Sequence, residues 1–344
     1  SRLPGHRAWT VLLVLPIAIP DFVAGYAWHT IAPTADPLLA ATVVMTLGTY
    51  PLVYLPVAAA LRRSDPAYEE SAYSLGVGQF ATFRRVTLPM IRTAILGGCT
   101  LVALVVISEY GAFEIVRFQT FTTEIFTEFQ FDPPAASILS VPLALLAVVV
   151  LGASGLLAGR ARADRVAPRR LAGKARLGRT TWPIVVALGC PVVAGIGVPV
   201  GTLLFWMARG QHTTLPPAAT LLGATWATIV YSATAAGLAV LLALPVALLT
   251  FRSSSRPRRF LERSTYLTQA MPGVIVALGL VFLATRAAYP LYHTGILLVG
   301  GYVILHFSLA FVCVKTSVAQ APPRLVDVAR SLGRGRISVF WRIT

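Results

Sequence analysis

The segments SDPAYEESAYSLGVGQFATFRRVT at 64–87 and APPRLVDVARSLGRGRISVFWRIT at 321–344 are two copies of one 24-residue unit. They align without a gap at an offset of 257, with nine identities: Pro66/Pro323, Ala72/Ala329, Ser74/Ser331, Leu75/Leu332, Gly76/Gly333, Gly78/Gly335, Phe83/Phe340, Arg85/Arg342 and Thr87/Thr344. Glu70 pairs with Asp327. The identities span eight residue types, so biased composition does not produce them, and a repeat of this kind marks duplicated architecture.

Within each copy the pattern predicts a helix, a glycine turn and a second helix. Pro66 suits an early helical position, Glu69 and Glu70 favour the positive end of the helix dipole, and Gly76 frees the backbone where the chain changes direction. Tyr68, Ala72 and Leu75 recur at helical spacing, as do Leu325, Ala329 and Leu332 in the second copy. After the glycine, Phe80, Phe83 and Val86 correspond to Ile337, Phe340 and Ile343. Each copy therefore carries a short apolar stripe on helices too short to be stable alone. Adhesion to lipid headgroups, which Arg84 and Arg85 would favour, is the plain reading of one such stripe. Duplication of the detail, turn glycine included, favours docking on a protein surface.

Outward from these loops the chain is a membrane protein. Of its 344 residues 56% are hydrophobic and 12% charged, and the mean hydropathy is +0.74, too apolar for an ordinary soluble domain. Apolar runs near the ~20 residues needed to cross a bilayer predict eight spans, at about 9–28, 39–61, 91–109, 137–158, 183–206, 220–250, 266–285 and 296–315. The longest is expected to tilt or break near Pro245. Six spans separate the two loops, which puts both loops on the same side. The repeats are thus parallel, unlike the inverted repeats of many secondary transporters.

The net charge of +16 follows the same topology. With the first residues cytoplasmic, 26 of the 29 Lys and Arg lie in or beside cytoplasmic segments, and Arg117, Arg209 and Arg286 lie outside. This is the positive-inside distribution, so no nucleic-acid partner is expected. The 159–182 stretch carries eight basic residues against Asp164 alone and reads as a cytoplasmic linker beside anionic membrane lipid. The chain opens without Met on a basic segment and ends on the second loop, which reads as truncation at both ends.

Few polar residues fall at membrane depth. Asp21 and His306 are the clearest ionisable ones, candidates for a transport route because such groups are costly against lipid; a helix cap for Asp21 and an interhelical hydrogen bond for His306 are the plainer alternatives. Cys99, Cys190 and Cys313 lie apart within spans, without a CxxC pair, and read as small core residues. The acids Glu109, Glu114, Glu124, Glu128 and Asp132 fall in an external segment with no metal-ligand spacing. They read as solvated charge, or as a surface facing a cation or a basic partner. No metal or other cofactor is implied, and no GxxxxGK[ST] phosphate loop occurs.

The run EESAYSLGVGQFATFRRVTLP at 69–89 resembles the EAA loop of binding-protein-dependent ABC importer permeases, with Glu70, Ser71, Ala72, Gly76, Leu88 and Pro89 matching its pattern. The second copy departs from that pattern at Asp327 and Val328. A chain with two such modules is similar to the fused, MetI-like ferric-iron permeases. EYGAFEIVRFQTFTTEIFTEFQFDPPAA at 109–136 carries the narrower likeness, above all Thr120 to Ile125. Permeases for thiamine, polyamines, phosphonates and sulfate share the architecture.

The resemblance implies an all-α type I importer transmembrane domain of two parallel repeats in a bacterial inner membrane, with no catalytic residue of its own. It implies a dimer of ABC ATPase subunits docking on Glu70, Ala72, Leu75, Gly76, Phe80, Phe83, Leu88 and Pro89, and on Asp327, Ala329, Leu332, Gly333, Ile337 and Phe340. It also implies a periplasmic or lipid-anchored solute-binding protein. The expected modules are 1–158 and 183–344, joined by the linker 159–182. An ion-coupled secondary transporter and a membrane scaffold are the readings of other classes.

Overall fold

The computed structural model describes residues 6–158, 181–209, 216–251 and 271–320, with Leu261, Ser264, Thr265 and Thr268 between the last two. The basic linker at 159–180 and the whole second loop, with Asp327, Ala329, Leu332, Gly333, Ile337 and Phe340, lie outside the described residues. Regular structure among the described residues is entirely helical. Two compact units divide the chain, Ser1–His212 and Thr213–Thr344.

In the first unit α1 (His6–Val14) runs through a 3-10 turn (Leu15–Ala18) to α2 (Asp21–Ile31). The two arms are bent by 89°. Proline dictates the break: Pro16 lies in the 3-10 turn and Pro20 sits in extended conformation before α2, so neither supplies a backbone N–H to continue the ladder. The sequence suggests one straight span at 9–28, and the structure gives a broken one.

Helix α3 (Pro37–Arg63) starts where the Asp36 carboxylate accepts from Leu39 N at 3.0 Å, an N-cap followed by proline. Helices α4 (Ala67–Ser74) and α5 (Gln79–Thr82) come next, then a π-helical turn (Phe83–Thr87) and α6 (Leu88–Ser108). From Gln79 to Ser108 the chain forms a single apolar span of 30 residues. The second half of the first loop is therefore the start of a membrane helix. The short separate helix expected from the sequence alone is not formed.

Helices α7 (Gly111–Ile115) and α8 (Phe121–Phe131) precede α9 (Pro133–Ala158). A core of Ala24, Ala41, Val44, Met45, Ala112, Phe113 and Val116 joins α2, α3 and α7. Helix α10 (Thr181–Val192), a second π turn (Val193–Gly197) and α11 (Val198–Arg209) form one more span, and it packs on this unit. A Cβ at Gly195 would lie 3.2 Å from the Pro16 ring. The repeat bounds and the packing bounds thus answer to different things: 183–206 opens the second module by sequence order but packs with the first unit.

Both π turns end one residue before an X-Pro pair, Leu88-Pro89 and Val198-Pro199. In each the residue before proline donates five back, Leu88 N to Phe83 O and Val198 N to Val193 O. Proline brings no N–H and crowds the carbonyl four residues earlier, and widening the helix relieves that clash.

In the second unit α12 (Ala218–Phe251) runs unbroken through Pro245. Its 34 residues are about 51 Å long, well beyond a ~30 Å hydrocarbon core, so it tilts or projects and does not break. It packs on α14 (Gly295–Gln320) through Ala235, Ala239, Ala243 and Ala247 against Val303 and Phe311, small residues that let membrane helices approach closely. Between them α13 (Gly273–Ala287) begins after Pro272 and has only 15 residues, too short to span alone.

Of the eight expected spans, six are long apolar helices, the first is the bent pair, and the seventh is α13. The duplication extends beyond the loops. The bounds of α3 shifted by 257 give 294–320, and α14 is Gly295–Gln320. Pro20 and Pro272 precede α2 and α13 with nearly the same dihedrals, φ −57° and ψ 134° against φ −58° and ψ 139°.

Candidate functional site

The first loop is built around one glycine. Gly76 has φ +77°, in the left-handed region. Its N–H donates to Tyr73 O at 3.0 Å and the Val77 N–H donates to Ala72 O at 3.0 Å, the paired bonds of a Schellman motif that close the C-terminus of α4. No atom outside its neighbours lies within 4 Å of where a Cβ would stand, so the backbone conformation, not space, selects glycine.

The expected stripe divides across this turn. Ala72 is 8% exposed and Thr82 1%, both inside the fold that α4 makes with α5 and the π turn. Tyr68, Tyr73, Leu75, Phe80 and Phe83 are exposed, Leu75 at 81% and Phe80 at 79%. The small residue at 72 therefore lets α4 close on its neighbours, while the large apolar side chains stand outward. Glu70 and Pro89 are exposed, and Leu88 is on the border of exposure. Exposed apolar groups on one loop are the kind of surface that a partner or lipid covers. Periodicity placed Ala72 on the outward stripe; it missed the inward packing because phase gives a helix face but not what covers it.

The loop is tied to the membrane helix by side chains. Thr87 Oγ1, at the end of the π turn and largely buried, donates to Glu69 Oε1 at 2.6 Å. Nothing in the single-copy pattern singled out Glu69 for this.

Away from the loop, Asp21 occupies the first turn of α2. It caps nothing: the N-terminus of α2 has no side-chain cap. Its carboxylate lies against Gly48 of α3, where a Cβ would be 2.5 Å from Oδ1. Glu109 Oε1 accepts from Ala112 N at 2.8 Å, capping α7. Asp132 Oδ1 likewise accepts from Ala135 N at 3.2 Å at the start of α9. Glu109 and Asp132, two of the five acids expected to be solvated or to face a cation or a basic partner, thus also cap helices.

Thr120 and Thr123 form a capping box on α8, and Thr122 donates to Glu109 O. This fixes the Thr120–Ile125 run against the α6–α7 junction. Burial, and then the Glu114 carboxylate, push the Tyr110 phenol up; its ring packs on Phe126 at 4.6 Å. No group of three or more His, Cys, Asp or Glu able to hold a metal occurs among the described residues.

His306 is exposed on α14, its ring parallel to Tyr302 at 6.4 Å, and the interhelical hydrogen bond is not formed. Cys99, Cys190 and Cys313 are all exposed on their helices, which corrects their reading as core residues; in a span the face toward lipid is as apolar as a core, so composition does not separate the two.

The family of binding-protein-dependent transport system inner membrane components matches residues 4–163 and 239–344, and the two stretches hold one loop copy each. The chain belongs to this family. The permease is 30% identical over 354 residues to the Fe(3+)-transport system permease protein FbpB 2 of Haemophilus influenzae, covering 100% of the chain and 69% of that protein. It is 21% identical over 323 residues to the ferric transport system permease protein FbpB of Actinobacillus pleuropneumoniae, covering 88% and 47%. To the sulfate transport system permease protein CysT of Salmonella typhimurium it is 29% identical over 178 residues, covering 45% and 62%. The permease therefore spans only part of each relative's length. No solved structure matches it.

Membership of the family gives the type I importer architecture to this all-α, multi-pass chain. It also makes the chain a permease subunit, the membrane part of an ABC importer.

Proposed function

We propose that the permease works in a bacterial inner membrane with a dimer of ABC ATPase subunits on its cytoplasmic loops and a periplasmic or lipid-anchored solute-binding protein outside, and that its cargo is ferric iron. The capped helix, glycine turn and outward Leu75 and Phe80 carry the ATPase half of this reading. Counting α13 as a crossing, six crossings lie between the loops, so both stand on one side. By repeat symmetry Asp327, Ala329, Leu332, Gly333, Ile337 and Phe340 serve the second loop. Closure of the ATPase dimer moves both loops and exchanges an inward for an outward opening. The ferric cargo is supported by the breadth of likeness, since the ferric relatives align over 88–100% of the chain and the sulfate one over 45%. Modules 1–158 and 183–344, joined by 159–182, are the duplicated halves.

The test is uptake into proteoliposomes holding the permease with its ATPase and solute-binding protein. Ferric iron uptake that requires ATP and both partners is expected. Uptake without the ATPase would make the chain an ion-coupled transporter, and sulfate uptake in place of iron would reassign the cargo.

Asp21 and His306 are proposed to face the route. An uncompensated carboxylate at membrane depth is expensive unless it meets water or a cation. Gly48→Ala is expected to displace the carboxylate, because the 2.5 Å approach involves only the end of the Asp21 side chain. Iron uptake should then fall as in Asp21→Asn, with the unfolding midpoint little changed. Full uptake in both variants would remove Asp21 from the route.

A further inference from the structure

We propose that Glu69 is a positioning residue that passes movement of the docking helix α4 to the membrane helix α6 through Thr87. Three observations carry this. The hydrogen-bond ladder between α5 and α6 is interrupted at the π turn, where Leu88 N reaches back to Phe83 O and Pro89 has no N–H to give. Helices bend most easily at such interruptions, so a push on α5 reaches α6 through a soft joint. The Thr87–Glu69 bond bypasses that joint. At 2.6 Å it links α4 directly to the last residue of the π turn, the N-cap of α6, and a hydroxyl donating to a carboxylate is among the stronger hydrogen bonds. Thr87 is 8% exposed, so water competes little for its hydroxyl. Among the described residues this is the side-chain to side-chain hydrogen bond that joins the docking helix to a span.

Glu70, the acid shared by both copies, does not make this bond; it is exposed. In the second copy the register of Glu69 is held by Val326 and that of Thr87 by Thr344. The acid there, Asp327, stands one position further on, about 100° around a helix. The second copy thus has no carboxylate at the register of Glu69, and the proposed tie is one of the first loop.

This inference rests on the importer reading, and the test separates the two. Permease reconstituted with its ATPase and solute-binding protein is assayed for iron taken up per ATP hydrolysed and for ATPase retained in the purified complex. Thr87→Val and Glu69→Ala are each expected to lower uptake per ATP by about tenfold, the scale of one hydrogen bond to a charged group, with the ATPase retained. The double variant should be no worse than either single one, as for partners in one interaction. Glu69→Gln and Thr87→Ser, which preserve an acceptor and a hydroxyl, should restore most of the ratio. If Glu69→Ala reduces the amount of folded permease, the near-isosteric Thr87→Val carries the test. An unchanged ratio in Thr87→Val overturns the proposal, as does loss of the ATPase from the complex, which would make Glu69 a docking residue. Uptake by the unaltered complex that ignores ATP would instead sink the importer reading and leave the tie without a motion to transmit.

Discussion

Gly98→Leu is expected to unfold the first unit at a markedly lower temperature in detergent, while Gly97→Leu, one residue away, leaves the midpoint where it is. A Cβ at Gly98 would lie 2.7 Å from Val53 Cα and 3.0 Å from Leu52 O, and both are backbone atoms of α3. They cannot turn aside as a flexible side chain would, so α3 and α6 must separate along their length. Overpacking a core costs about 1–3 kcal/mol where side chains can adjust, and a whole leucine against backbone belongs at or above the top of that range. In a membrane the penalty is not recovered elsewhere, because helix association there depends on close packing more than on removal of apolar surface from water. At Gly97 nothing lies within 4 Å of the added Cβ; that side chain meets only the exposed face. Equal midpoints for the two variants would show that α3 and α6 do not pack as described. Membrane levels of the Gly98 variant should also fall, since a misassembled pair exposes both helices to proteolysis.

That pair of glycines shows where sequence reading ends. GlyGly97–98 is one dipeptide in an apolar run, and nothing in the run tells which glycine faces α3. What was legible were quantities that accumulate along the chain: apolar length, the one-sided placement of Lys and Arg, and the recurrence of 24 residues at an offset of 257. These gave the all-α membrane class, the approximate spans and the place of the first loop. The resemblance of 69–89 to the EAA loop added the family and its partners. Legibility failed where a helix is interrupted. Pro16, Pro20 and Pro89 were visible, but whether proline produces an 89° bend, a π turn or only an early helical residue depends on what packs beside it. For a related reason phase did not show that Ala72 packs inward: in a loop that folds back on itself the apolar phase serves both the inward and the outward face. Glu69 lay outside the motif pattern, and only the 18-residue return of the chain to Thr87 brings it to its partner.

The second large effect is at Gly76, and its cause is different in kind. With φ at +77°, any residue with a Cβ carries the left-handed penalty, roughly 1–2 kcal/mol for an ordinary side chain and more for a β-branched one. Asparagine carries less, because its side chain bonds locally in that region. Space imposes no order of its own, since nothing lies within 4 Å of the added Cβ. ATP-driven uptake should therefore fall in the sequence Asn, Ala, Val, with Gly76→Asn nearest the parent. Gly76→Ala should lose about tenfold and Gly76→Val more, following the conversion of about 1.4 kcal/mol per decade. The amount of permease in the membrane should hardly change, because the turn lies outside the spans and buries little. Co-purification of the ATPase should decline in step with uptake, since a turn that opens carries Leu75 away from Phe80 and divides the apolar surface on which docking is proposed. Gly78 is the control: its φ is −64°, a value open to any residue, and a Cβ there also meets nothing within 4 Å. Gly78→Ala is expected to keep parental uptake. If it fell as far as Gly76→Ala, the loop would be intolerant of side chains in general, and the left-handed turn would no longer explain why glycine stands at 76.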